Sequence, residues 1–186
     1  LQSHQALLAQ ADVWVVDANL ADAALAALFA AAGHATAGPS PTRPPAVFAD
    51  AVSSAKAVRL QACLPRIHTL KLNRQEAAAL LGQPVQSTAD ALQAAQTLHQ
   101  QGTARIVLSL GADGLCWCDA DGSTGHLAAN PVRVVNSNGA GDALLAGLVL
   151  GHWRGDSLPQ AARLGLACAE ATLQSPLANA LVLGAL

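Results

Sequence analysis

Residues 105 to 114 read Arg105-Ile106-Val107-Leu108-Ser109-Leu110-Gly111-Ala112-Asp113-Gly114. A short apolar run with β-branched members, closed by a glycine-rich turn, is the signature of a strand buried on both faces. Such strands belong to parallel sheets, whose right-handed crossovers lay helices over each side. The residues just upstream supply one of those helices: Ser87 and Asp90 are spaced as a capping box that opens a helix running to Gly102. Further toward the N-terminus the alternation repeats. Val13–Val16 is a strand ended by Asp17, and Leu20–Ala32 a helix stopped by Gly33. Ala46–Ala49 is a strand ended by Asp50, Ser54–Cys63 a helix, Ile67–Leu72 a strand, and Arg74–Leu81 a helix ended by Gly82. Ala35–Pro45, with Gly38, Pro39, Pro41, Pro44 and Pro45, reads as a loop. Downstream of Gly114 the period changes. The turn clusters Gly111–Gly114 and Asp119–Gly122 flank Leu115–Cys118 and predict antiparallel hairpin strands. Val132–Val135 predicts a last strand before a glycine loop, followed by helices at Ala140–Arg154 and Ser157–Leu173. The expected fold class is α/β with a mostly parallel sheet covered on both faces, in a single domain over 1–186.

Composition narrows the function. The chain has 186 residues, of which 52% are apolar and 12% charged, a balance that excludes intrinsic disorder. A net charge of −2, three Trp, two Phe and no Tyr give neither a basic footprint nor a stacking platform for nucleic acid. The longest apolar stretches, Ala23–Gly33 and Ala143–Gly151, fall short of the roughly 20 residues that cross a bilayer. Leu1–Gln5 has no signal-peptide character. Cys116 and Cys118 share one face of a strand, so the four cysteines are expected to be buried free thiols, and the expected location is cytoplasmic. The chain has no Met, not even an initiator, and Leu1–Gln10 reads as the middle of a helix. A piece of a longer chain is therefore expected.

In open α/β sheets ligands bind outside the carboxyl ends of the strands. Asn136-Ser137-Asn138-Gly139-Ala140-Gly141-Asp142 lies between a predicted strand and a helix. Its small residues let the backbone approach a ligand and expose amide N–H groups at a helix start, which together make an anion site. Asp142, in the first turn, could accept a hydroxyl proton while the amides hold a phosphoryl group. Taken alone, the segment is equally a helix start with a favourably placed Asp. Ser109–Gly114 offers a second glycine turn, which alone is an ordinary hairpin turn. Asn73 and Glu76, one helical turn apart after a strand, could hold a hydrated Mg²⁺ or simply cap a helix. There is no Walker A sequence and no H-R-D or D-F-G.

N-x-x-E at Asn73–Glu76, S-L-G-x-x-G at Ser109–Gly114 and G-A-G-D at Gly139–Asp142, in this order, resemble the ribokinase-like (PfkB) carbohydrate and nucleoside kinases. The resemblance covers essentially the whole chain but only the C-terminal part of the family's length. It implies a three-layer α/β/α fold with an antiparallel hairpin region near the ATP site. The missing N-terminal part is the one that carries most sugar contacts and a β-sheet lid in the family.

By the same resemblance, Asp142 would be the catalytic base, and Gly139, Ala140 and Gly141 the anion hole. Ser109, Leu110, Gly111, Ala112, Asp113 and Gly114 would line the ATP phosphates, Asn73 would contact nucleotide, and Glu76 would help bind Mg²⁺ through water. The implied reaction is in-line transfer of the ATP γ-phosphoryl to a primary hydroxyl. Phe48–Lys56 is similar to the D-P-V-S-x-x-K segment of the pseudouridine kinases in that family, with Ala51 where Pro is usual. His68–Glu76 and Leu173–Ser175 fit the same group, whose acceptor is the 5′-hydroxyl of pseudouridine. Asn136-Ser137-Asn138 replaces the commoner D-T-T or N-x-T, which leaves a monovalent-cation site undecided. Two alternatives stay open: another sugar kinase of ribokinase or fructokinase type, and a non-catalytic nucleotide-binding fragment. The expected partner is a small-molecule sugar or nucleoside, with no nucleic acid and no membrane, and a homodimer left open.

Overall fold

Four apolar runs become four parallel strands in the computed structural model, which describes residues 5–34 and 44–178. They are β1 (Val13–Asp17), β2 (Ala46–Asp50), β3 (Thr69–Asn73) and β4 (Arg105–Ser109), adjacent in chain order. Two antiparallel strands, β5 (Leu115–Cys118) and β6 (Thr124–Leu127), extend the sheet from β4. Before and between the parallel strands run α1 (Gln5–Gln10), α2 (Asp22–His34), α3 (Ser54–Ala57), α4 (Arg74–Leu81) and α5 (Thr88–Gln100), while α6 (Ala140–Arg154) and α7 (Leu158–Leu173) close the chain.

The strand periodicity of two builds two cores, one on each face of the sheet. Val47, Ala49, Leu70, Leu72, Ile106 and Leu108 point to the face that also buries Leu25, Phe29, Leu60, Leu64 and Leu98. Phe48, Val107 and Leu115 point to the opposite face, against Leu144, Leu145, Leu148 and Leu158 of α6 and α7. The result is three layers, and the fold class agrees with the sequence reading. Helices α6 and α7 cross on small residues: a Cβ on Gly147 would lie 2.5 Å from the Gly165 Cα, and one on Gly165 2.7 Å from the Leu144 carbonyl oxygen. That close crossing fixes α7 against the helix that begins at the G-A-G-D segment.

Local signals mostly hold. Ser87 accepts from the Asp90 amide and Asp90 from the Ser87 amide, which is the expected capping box. All four cysteines are buried free thiols, and burial pushes the Cys116 thiol up to about 11. Among the described residues no helix is long and apolar enough to cross a membrane.

Three expectations are corrected. Val132–Val135 is not a strand; Val134 and Val135 are exposed, and the amides of Val135 and Asn136 donate to the Leu173 carbonyl at the end of α7. The alternation there has no sheet neighbour to bury against. The helix expected over Ser54–Cys63 is α-helical only to Ala57 and continues as 3₁₀ from Val58 to Arg66. Leu60 and Cys63, three residues apart, fall on one side of such a turn, and both are buried. Gly33 does not stop α2, which runs to His34. Of the proline-rich loop at Ala35–Pro45, residues 35–43 lie outside the described residues.

Candidate active site

Each parallel strand ends in a polar residue: Asp17, Asp50, Asn73 and Ser109. The register pairs Asp17 with Asp50 and Asn73 with Ser109, so these side chains line one end of the sheet. Asp50 is buried, and so is its neighbour in register, Lys71. The Lys71 ammonium donates to both carboxylate oxygens of Asp50, at 2.9 and 3.1 Å. Asp50 also accepts from the Val52 amide at 2.9 Å, which holds Val52 at φ 64°, a conformation that β-branched residues rarely adopt.

The same ammonium lies under the G-A-G-D turn. A Cβ added to Gly141 would sit 2.7 Å from Lys71 Nζ, so glycine brings backbone against a buried cation. Gly139 takes φ 80°, and its Cβ would fall 1.8 Å from the Ala178 carbonyl oxygen. These two glycines set the entry to α6, whose first amides have no partner within the helix. Asp142 lies in that first turn, exposed. The helix start and the buried ammonium therefore meet at Gly141, with Asp142 one residue on, although no strand precedes the segment.

Asn73 and Glu76 make a full capping box at the start of α4. Asn73 Oδ1 accepts from the Glu76 amide at 2.9 Å, and Glu76 Oε2 accepts from the Asn73 amide at 2.8 Å. Burial holds the Glu76 carboxyl above its usual range, against the lowering effect of the Asn73 amide and of Lys71. The capping role read as an alternative is thus present in the structure. The turn after β4 is a 3₁₀ turn, Gly111–Asp113, with Gly111 at φ 66° and Gly114 at φ 88°. Arg74 ties it to α4 through an ion pair with Asp113, 2.6 Å long.

The two glycine turns open into one cavity of about 660 Å³. Ser109, Gly111, Ala112 and Gly114 form one side, and Ser137, Ala140 and Gly141 another. Leu166, Ala169, Glu170 and Leu173 of α7 close its apolar end, with 129–132 and Val134 completing the wall. Asn73, Glu76, Leu110, Asp113, Gly139 and Asp142 are not in its wall. The structure thus gathers the two glycine turns and sets the N-x-x-E pair beside them. Among the described residues, no group of three or more His, Cys, Asp or Glu is arranged to hold a metal ion.

Two features escaped the sequence reading. Lys71 is the one charged residue inside Ile67–Leu72, and a lysine in a buried strand requires a partner, a signal that was present. Glu170 is the only acid within α7, and it is buried. Its partner, Asn130, lies 40 residues away and could not be read locally.

The chain is 34% identical over 179 residues to pseudouridine kinase of Escherichia coli, covering 96% of this chain and 54% of that protein. It is 35% identical over 126 residues to 1-phosphofructokinase of the same species, covering 67% of this chain and 39% of that enzyme. A solved putative sugar kinase from Clostridium perfringens superposes with a TM-score of 0.85 at 25% identity, over 97% of this chain and 54% of the other. The chain thus spans about half the length of pseudouridine kinase. The description "pfkB family carbohydrate kinase" matches residues 1–183, and the chain belongs to that family.

Proposed function

We propose that this chain carries the nucleotide-binding and catalytic part of a kinase that moves the γ-phosphoryl of ATP to a primary hydroxyl. The observation that carries the reading is the cavity shared by the two glycine turns, with the Lys71 ammonium beneath Gly141. Amides, a helix start and a buried cation at one place suit a transferring phosphoryl group. The apolar end of the cavity suits a base. In this reading the amides of Gly139, Ala140 and Gly141 stabilise the transferring group, and Asp142 accepts the proton of the acceptor hydroxyl. Residues 109–114 face the triphosphate, and Asn73 contacts nucleotide.

In this reading Glu76 would help hold Mg²⁺ through its water shell, while Glu76 Oε2 and Asn73 Oδ1 keep the backbone hydrogen bonds that fix the pair at the start of α4. Bound to the triphosphate, Mg²⁺ would neutralise charge on the phosphates.

The acceptor we propose is the 5′-hydroxyl of pseudouridine. It is supported by the likeness to pseudouridine kinase along 96% of the chain and by the Asp50–Lys56 segment, in which Lys56 bonds Asn19. The test is a substrate panel scored by kcat/KM, using the protein expressed from its complete reading frame. Preference for pseudouridine over free ribose and fructose is expected. Preference for either sugar would move the acceptor to the ribokinase or fructokinase type, and no turnover with any of them would refute the kinase reading.

A further inference from the structure

We propose that Glu170 is a positioning residue that sets the nucleotide cavity by clamping the loop 128–136 to α7. The proposal rests on the reading of that cavity as the nucleotide site. The loop leaves β6 against the turn at 111–114, supplies part of the cavity wall, and runs on into the G-A-G-D segment. It contains no helix or strand, so its tethers decide where it lies.

Those tethers converge on one turn of α7. Glu170 Oε1 accepts from the Asn130 amide at 2.7 Å, and Oε2 accepts from Asn130 Nδ2 at 2.9 Å. Three residues on, the Leu173 carbonyl accepts from the amides of Val135 and Asn136 at 2.8 and 3.2 Å. The loop is thus held at both ends of the stretch that faces the cavity.

The carboxylate is an unusual choice for its place. Glu170 is 8% exposed and sits in the apolar end of the cavity beside Leu166, Ala169 and Leu173. A buried acid costs desolvation unless it is hydrogen-bonded, and near a triphosphate its charge repels. Both oxygens point to Asn130, which identifies holding the loop, rather than contacting phosphate, as its task. The loop's position also reaches the phosphate turn: a Cβ on Gly114 would lie 1.9 Å from the Leu127 carbonyl oxygen and 2.6 Å from the Ala129 amide nitrogen. A wall that moves takes the turn with it.

The test measures binding of the non-hydrolysable analogue AMP-PNP with Mg²⁺ by calorimetry on the protein expressed from its complete reading frame, alongside thermal melting and amide exchange at Val135 and Asn136. Glu170→Ala removes both bonds and is expected to weaken AMP-PNP at least tenfold and to speed exchange at both amides. Glu170→Gln is expected to bind AMP-PNP indistinguishably from wild type. Its amide oxygen accepts from the Asn130 N–H, and its NH₂ donates once the Asn130 side-chain amide turns over. Asn130→Ala removes one bond at an exposed position, keeps the fold, and is expected to weaken binding by about threefold. Glu170→Ala or Asn130→Ala binding AMP-PNP like wild type would overturn the proposal, as would a Gln variant as defective as the Ala variant. A wild-type chain that binds no AMP-PNP would overturn the nucleotide reading itself, and the clamp's role with it.

Discussion

Gly111 and Gly114 look alike in the sequence, yet the structure separates what an alanine would cost at each. Gly111 has φ 66°, and a Cβ built there meets nothing within 4 Å. Gly111→Ala therefore carries only the left-handed backbone cost, about 1–2 kcal/mol. Gly114 has φ 88° and ψ −126°, outside the left-handed well that non-glycine residues use. Its Cβ would lie 1.9 Å from Leu127 O, 2.6 Å from Ala129 N and 2.9 Å from Ala128 C, all of them backbone. To make room, the end of β6 must retreat by more than about 1 Å, which disturbs its pairing with β5. Backbone strain of about 1–3 kcal/mol together with that displacement gives a loss of roughly 3–5 kcal/mol. Against a typical total of about 5–15 kcal/mol, this is a large fraction. Urea unfolding followed by circular dichroism reads both variants on the same chain. Equal losses at the two positions would refute the reasoning, because they would mean the backbone at Gly114 relaxes freely.

Three further predictions concern the charged groups. In the protein expressed from its complete reading frame, Asp142→Asn keeps the shape of the helix start and removes its charge, so kcat should fall by about 10²–10⁴ with ATP affinity little changed; near-normal turnover would remove the base assignment. Lys71→Met leaves Asp50 buried without its cation and should cost about 3–5 kcal/mol of stability. Much of that should return in the double variant Lys71→Met, Asp50→Asn, and a Met variant as stable as wild type would show the pair to be hydrated. Glu76 has its pKa raised by burial, so the folded state holds its proton to higher pH than the unfolded chain, and stability falls as pH rises from the ordinary carboxylate range through the raised value. Glu76→Gln keeps the capping geometry and should flatten that fall, gaining on wild type between acid and neutral pH while losing Mg²⁺-dependent nucleotide affinity; parallel stability curves for the two proteins would contradict this.

The strands were legible because burial on both faces leaves a plain mark, as in Ile106-Val107-Leu108, with every residue apolar. Caps were legible because Ser87 with Asp90 satisfies its helix end within four residues. Val132–Val135 misled because exposed valines carry the same composition as buried ones, and what holds that segment is a carbonyl on α7, 38 residues on from Val135. The 3₁₀ stretch at Val58–Arg66 was missed because its apolar spacing of three also fits an α-helix. In the site, the glycine turns and Asp142 could be named from their order along the chain. The buried pair Asp50–Lys71 and the clamp Asn130–Glu170 join residues 21 and 40 apart, and only the fold brings them together.

In the proposed function, nucleotide enters between the turn at 109–114 and the start of α6. The most direct measurement is a titration of the isotopically labelled chain with AMP-PNP and Mg²⁺, following backbone amide shifts residue by residue. The largest shifts are expected at Gly111, Ala112, Gly114, Ala140 and Gly141, with smaller ones at Asn130 and Val134. Shifts centred instead on the cavity at the opposite end of the sheet, lined by Arg66, His68 and Gly102, would contradict it.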